Sequence, residues 1–232
     1  MTKAVLFDFG NTLAEYYRRE DFAPVLERCV ALTRRRVLET GRETVSLEIA
    51  LERAVALNRE AEDFRFHPMG DRIASIFDLD EQALAQLGQS LCESFLAPIF
   101  EVGRLYPDTQ STLVQLRDRG YKTAIVSNTP WGSPPALWRR EFQRLGLPPL
   151  VDDIVLCGDI GWRKPAPQVF QHTADLLGVA MGDCVFVGDD LEWDVGGSRA
   201  VGMRPVLIDR DDRHPDYAGE RIRCLDDLNA IL

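Results

Sequence analysis

Residues 4–13 read Ala4-Val5-Leu6-Phe7-Asp8-Phe9-Gly10-Asn11-Thr12-Leu13: four apolar residues that run straight into a carboxylate and a glycine-bearing turn. A short continuous apolar run, not alternating with polar residues, reads as a strand covered on both faces. Four further runs share the pattern: Thr123-Ala124-Ile125-Val126, Ile154-Val155-Leu156-Cys157, Cys184-Val185-Phe186-Val187 and Pro205-Val206-Leu207-Ile208. From the second run onward, helix-like segments separate them. Residues 109–119 carry Leu113 and Leu116 and stop at Gly120, while residues 165–177 open on Pro165 and stop at Gly178. Proline in the first turn and glycine just past the last is the asymmetry expected of a helix. Strands alternating with helices predict an α/β fold, a doubly wound parallel sheet of Rossmann-like type.

Residues 15–102 break this alternation and read as helices alone. The predicted segments are 21–40, closed by Gly41, then 46–64 and 80–96, with Ser46 and Asp80 as N-caps. So long a block is no loop. It is expected to form a helical cap inserted into a core made of residues 1–14 and 103–232.

Of the 232 residues, 45% are apolar and 28% charged, which suits a packed core and not a disordered chain. The formal net charge of −10 argues against nucleic acid or an anionic membrane as partner, because no broad face would offset phosphate repulsion. Arg34, Arg35 and Arg36 lie on a predicted helix among acids and read as a solvated face. The five cysteines are widely spaced and form no C-x-x-C pair, so neither a disulfide framework nor a zinc site is indicated. Cys157 and Cys184 read as small core residues. Asp8 interrupts the first apolar run, no signal peptide is evident, and no stretch of about 18 apolar residues could span a bilayer. A cytoplasmic protein acting on a small molecule is the expectation.

Ligands of an open α/β sheet bind at the carboxyl ends of its strands. Here those ends offer Asp8 and Gly10 after the first run, Ser127-Asn128 after the second, Lys164 after the third, and Gly188-Asp189-Asp190 with Asp194 after the fourth. Several carboxylates at close range raise one another's pKa unless a cation sits among them. Hard oxygen donors suit Mg²⁺. The ion would neutralise a phosphate oxygen as Asp8 attacks phosphorus, and carboxylates do form such esters. Lys164 would add positive charge near the transferring group, and Ser127 a hydrogen bond. Lys3, Lys122 and Lys164 are the three lysines in an arginine-rich chain, a mild hint that a compact charge is wanted before Pro165.

Asp8-x-Gly10-x-Thr12, Ser127-Asn128, Lys164-Pro165 and Gly188-Asp189-x4-Asp194 together resemble the four motifs of the haloacid dehalogenase-like (HAD) hydrolase superfamily, in the family order. The helical insert between the first two is similar to subfamily I members with a C1 cap. The resemblance implies that Asp8 is nucleophile and metal ligand, and that the Gly10 carbonyl is a second ligand. It implies that Thr12 supports the first loop, that Ser127 and Asn128 hold phosphoryl oxygens, and that Lys164 steadies Asp8. Asp189 would be the acidic-motif ligand. Asp194 would bind the metal directly or through water, or orient Lys164.

Phosphatases of this superfamily usually carry a second aspartate two positions after the nucleophile, as general acid and base; here Gly10 stands there. Such assistance is typically worth about 10²–10⁴ in rate. Two alternatives therefore stay open: a 2-haloacid dehalogenase, whose Asp8 would attack carbon without metal, and a weakly active or non-catalytic regulatory domain. The acidic cluster opposes the first, since without a cation it is uncompensated charge. Further candidates are His67 as a proton donor, Trp131 and Trp162 as pocket-shaping or packing residues, and Arg18, Arg19, Arg65 and Arg72 as contacts for an anionic substrate. Asp189 and Asp190 also suit a helix N-terminus on dipole grounds alone.

Overall fold

The computed structural model describes residues 2–17, 21–59 and 62–232; Arg18 and Arg19 lie outside them. Its centre is a six-stranded sheet made of β1 (Ala4–Phe7), β4 (Lys122–Ser127), β5 (Asp153–Leu156), β6 (Cys184–Gly188), β7 (Arg204–Ile208) and β8 (Arg221–Ile222), in the order β5-β4-β1-β6-β7-β8. Every pairing in it is parallel. All four residues of β1 are buried, which is why that strand shows no polar alternation. Successive side chains point to opposite faces. Val5 and Phe7 of β1, Ile125 of β4, and Val185 and Val187 of β6 thus enter one core, with Leu113 and Leu116 of α5 (Thr109–Asp118). Ala4, Leu6, Ala124, Val126 and Phe186 enter the other, under Val169, Phe170 and Leu177 of α8 (Pro167–Leu177). The doubly wound α/β fold is as the sequence indicates.

Among the described residues the helices between Glu15 and Arg104 are α1 (Phe22–Glu39), α2 (Leu47–Leu57), α3 (Met69–Phe77) and α4 (Glu81–Val102). Ser46 and Asp80 cap α2 and α4, accepting Ile49 N at 3.3 Å and Ala83 N at 2.7 Å. Gly41, Gly120 and Gly178 take up positive φ of 78°, 81° and 65° just past their helices, the left-handed stop glycine permits. A two-stranded antiparallel ribbon, β2 (Ala14–Glu15) with β3 (Arg104–Leu105), ties together the two chain segments that flank the helical block.

Several boundaries differ from expectation. The second helix stops at Leu57, not at residue 64, and α3 follows it unforeseen between Pro68 and a left-handed Asp78. Helix α4 runs through Pro98 to Val102, beyond the expected end at residue 96. The third apolar run ends one residue early, because Cys157 begins the single turn α7 (Cys157–Ile160). Helix α8 begins at Pro167, two residues after Pro165. Helix α6 (Pro135–Arg144), with Leu137, Trp138 and Phe142 buried, also went unread. Among the described residues no helix is long and apolar enough to cross a membrane.

Candidate active site

The loop after β1 is folded by its own backbone: Asn11 N donates to Ala14 O at 2.7 Å, and Leu13 N and Ala14 N both donate to Phe9 O, at 2.9 and 3.0 Å. Asn11 accepts a φ of +56° within it, a conformation asparagine tolerates better than most residues. Phe9 points away from the edge, 4.5 Å from the Phe142 ring centroid in edge-to-face contact. That packing leaves Asp8 facing the carboxyl edge of the sheet. Asp8 N donates to Val187 O at 2.8 Å, which locks the residue to β6.

Lys164 reaches the same point from the loop before α8. Its Nζ donates to Asp8 Oδ1 and to Asp194 Oδ1, each at 2.6 Å, and its side chain is only 2% exposed. Asn128 sets its position: Asn128 Oδ1 accepts Lys164 N at 2.8 Å and Asn128 Nδ2 donates to Lys164 O at 3.0 Å. Asn128 is expected to help hold phosphoryl oxygens; both ends of its side-chain amide are engaged on the lysine backbone. Ser127 lines the cleft; its hydroxyl makes one long contact, 3.4 Å to Asn128 O. Thr12, expected to support the first loop, is fully buried and does not line the cleft. Its carbonyl accepts Arg210 Nη2 at 2.8 Å, and its hydroxyl has no protein partner, so it serves the loop from behind.

After β6 the chain makes one wide turn, residues 191–196, that brings Asp194 back under the strand end. Gly188 makes room for it: a Cβ there would overlap the Asp194 carboxylate. Asp190 N donates to Asp194 Oδ2 at 3.1 Å, and Asp190 Oδ1 accepts Glu192 N and Trp193 N at 2.8 Å each. Asp190 is thus the cap of this turn, while Asp189 and Asp194 turn toward Asp8. One carboxylate oxygen from each of Asp8, Asp189 and Asp194 lies within 4.8 Å of the others.

That span fits an octahedral hard cation, whose opposite oxygen ligands are about 4 Å apart. Electrostatics favour one too. Burial raises Asp8, against the pull of Lys164. Burial and then Asp194 push Asp189 up to about 6, against Arg213. Burial pushes Asp194 up to about 7, with Lys164 opposing and Asp8 adding to it. Burial alone would depress Lys164, yet Asp194 and Asp8 outweigh it and hold the ammonium above its usual range. Burial is the main reason these carboxyls are raised, and the mutual repulsion of three acids, which Lys164 and Arg213 only partly offset, adds to it. Gly10 lines the same cleft of about 350 Å³, open for its carbonyl to complete an oxygen donor set.

Aromatic groups wall the cleft: Tyr16, Tyr17, Trp138 and Trp193. Trp131 and Trp162 do not line it. Trp131 packs against Phe95, and Trp162 lies under the Arg65 guanidinium, 3.5 Å from the ring centroid. Arg72 donates to Arg59 O at 3.2 Å, and His67 pairs with Asp63 at 3.1 Å; neither reaches the cleft. Arg65 has a structural job. Phe66 N donates to Gly161 O at 3.1 Å and Arg163 N to Phe64 O at 2.8 Å, so the loop before α3 is zipped to the loop that carries Lys164. Among the described residues the arginine that does line the cleft is Arg213, which no sequence motif marked.

A parallel sheet that gathers a carboxylate held by an ammonium, two further acids and an open cleft at its carboxyl edge has the makings of a hydrolase. The family model for haloacid dehalogenase-like hydrolases matches residues 2–202, and the chain belongs to that family. It is 31% identical to a glyceraldehyde 3-phosphate phosphatase of Methanopyrus kandleri, over 98% of this chain and 97% of the relative. It is 33% identical to an (S)-2-haloacid dehalogenase of Burkholderia cepacia, over 48% of this chain and 46% of that one. A crystal structure of a HAD phosphatase from Thermococcus onnurineus superposes with a TM-score of 0.71 at 30% identity, covering 99% of this chain and 97% of the other.

Proposed function

We propose that this protein is a Mg²⁺-dependent phosphohydrolase of a small phosphorylated metabolite in the cytoplasm, working through an aspartyl-phosphate on Asp8. The observation that carries the reading is the acidic trio. Asp189 and Asp194 stand with Asp8 inside 4.8 Å and are kept there by Gly188 and the turn at Asp190. Asp194 also holds Lys164, but a metal-free attack on carbon gives no use for three carboxylates gathered this closely, and their mutual repulsion would cost stability. The full-length likeness to a named phosphatase supports the same choice over the half-length likeness to a dehalogenase.

Asp8, Asp189, Asp194 and the Gly10 carbonyl would hold the ion, which when bound neutralises charge on the phosphoryl oxygens. Lys164 engages Asp8 Oδ1, so the other carboxylate oxygen is the one to attack phosphorus. An Oδ–P bond forms as the P–O bond to the leaving alcohol breaks, and the alcohol takes its proton from water, since residue 10 carries no acid. Water then attacks phosphorus, the Oδ–P bond breaks, inorganic phosphate departs and Asp8 is restored. Ser127 donates to a phosphoryl oxygen, and Asn128 keeps Lys164 in register. Residues 15–102 act as the cap on a core of residues 1–14 and 103–232. Tyr17 and Ile99, from opposite ends of that block, close over the cleft.

Gly10 favours a second reading, the 2-haloacid dehalogenase. Hydrolysis of p-nitrophenyl phosphate in Mg²⁺ and in EDTA, set beside chloride release from 2-chloropropionate, separates the two. Phosphatase activity that EDTA abolishes is expected. Chloride release in EDTA with no phosphatase activity would reverse the assignment, and inactivity on both would mark a non-catalytic domain.

A further inference from the structure

Among the described residues, two cationic side chains line the cleft, Lys164 and Arg213. Lys164 is enclosed and committed to two carboxylates. Arg213 is not: its side chain is 50% exposed, and Nη2 alone is engaged, 3.1 Å from Asp189 Oδ2. The loop that carries it is built to aim it. Asp209, buried at the end of β7, accepts the backbone N–H groups of Arg213 and His214 at 2.8 Å each and pairs with Arg221 at 3.2 Å. Beyond Arg213 the cleft continues into a hollow of about 580 Å³ that shares Asn11, Tyr17 and Asp189 with it. The other arginine there, Arg210, is occupied. It grips both oxygens of Asp108 at 3.0 Å, donates to Thr12 O at 2.8 Å and lies over the Tyr106 ring.

We propose that Arg213 is a specificity-determining residue that binds a second anionic group, carboxylate or phosphate, on a small phosphate monoester. The inference rests on the phosphohydrolase reading of the site. A guanidinium offers five N–H donors in a planar fork, and one bond to Asp189 leaves most of them facing the open cleft. An uncharged substituent would leave those donors to water. Among the described residues Asp8, Asp189, Asp190 and Asp194 oppose Lys164 and Arg213 in the cleft lining, and Glu15 and Asp211 line the adjoining hollow; a divalent cation would offset two of those charges, and Arg213 is the group left to attract a second anion. Because Arg213 touches an acid of the trio itself, the two anionic ends must be only a few bonds apart.

Three matched two-carbon esters test this: 2-hydroxyethyl phosphate, phosphoglycolate and ethylene glycol bisphosphate. The wild type should prefer one anionic ester over the hydroxyethyl ester by about tenfold or more in kcat/KM, the usual yield of a charged hydrogen bond. Which one it prefers tells carboxylate from phosphate. Arg213→Ala should erase the preference and Arg213→Lys keep part of it. Calorimetric binding of the same esters to the inert Asp8→Asn protein, with and without Arg213→Ala, should show the same discrimination in Kd. A wild type that hydrolyses all three esters equally, or an Arg213→Ala that weakens all three by one factor, overturns the role of Arg213 and spares the phosphohydrolase. Failure to hydrolyse these esters and p-nitrophenyl phosphate alike overturns both.

Discussion

A Cβ built on Gly10 meets no heavy atom within 4 Å, and the residue does not need positive φ. The place of the missing acid is therefore vacant space beside the nucleophile, not space filled by another group. Gly10→Asp should fold normally and raise turnover of 2-hydroxyethyl phosphate by tenfold or more, within the range of general acid–base help. It should do much less for p-nitrophenyl phosphate, whose leaving group departs unprotonated. Equal effects on both esters would show that protonation does not limit the rate. The candidate site residues were legible in the sequence where they abut apolar runs: Asp8, Ser127 and Asp189 sit at strand ends, and Lys164 and Asp194 one loop or turn further. Arg213, Trp138 and Trp193 were not, because only tertiary folding brings them to the cleft. The hold of the Asn128 side chain on Lys164 was not legible either, a pairing across 36 residues that no local pattern encodes.

Elements were legible in proportion to how strongly both faces or both ends were marked. The central strands, apolar throughout, and the helices stopped by Gly41, Gly120 and Gly178 fall where expected. Helix α3 was missed because it is nine residues long and follows a loop with no N-cap side chain to announce it. The expected end of α4 fell just short of Pro98, but the helix passes through that residue with Ile99 buried beyond it; packing overrode local preference. The junction of β6 with its wide turn gives a sharp test. Gly188→Ala would force Asp194 aside and with it one of the two bonds that hold the Lys164 ammonium. Turnover should fall at least tenfold, with about 1–3 kcal/mol of stability lost to overpacking. Gly182→Ala, where a Cβ meets nothing within 4 Å, is the control and should change neither. A Gly188→Ala protein of normal rate would show that Asp194 does not position Lys164.

Over the whole molecule, stability should follow pH through Asp209 in a definite direction. Burial would raise its pKa, yet the amides of His214 and Arg213 and the charge of Arg221 outweigh it and hold the carboxyl below the usual range. A folded-state pKa below the unfolded value of about 3.9 gives stability that is complete above that pH and lost as pH falls through the folded value. Asp209→Asn leaves at least one buried amide without its acceptor, at about 1–3 kcal/mol near pH 7. Urea unfolding should show that gap narrowing below about pH 4; a gap that is constant down to pH 2.5 would contradict the ionised state. The net charge of −10 sits with a cleft whose described lining is itself acidic, so on the proposed function an anionic substrate should bind well only once a divalent cation is present. The two backbone bonds between residues 64–66 and 161–163 carry a last consequence. Any swing that parts the helices from the sheet must unzip them one residue away from Lys164. Such a swing would also slacken the seat of the ammonium, so a cap held away from the sheet should be a disarmed one.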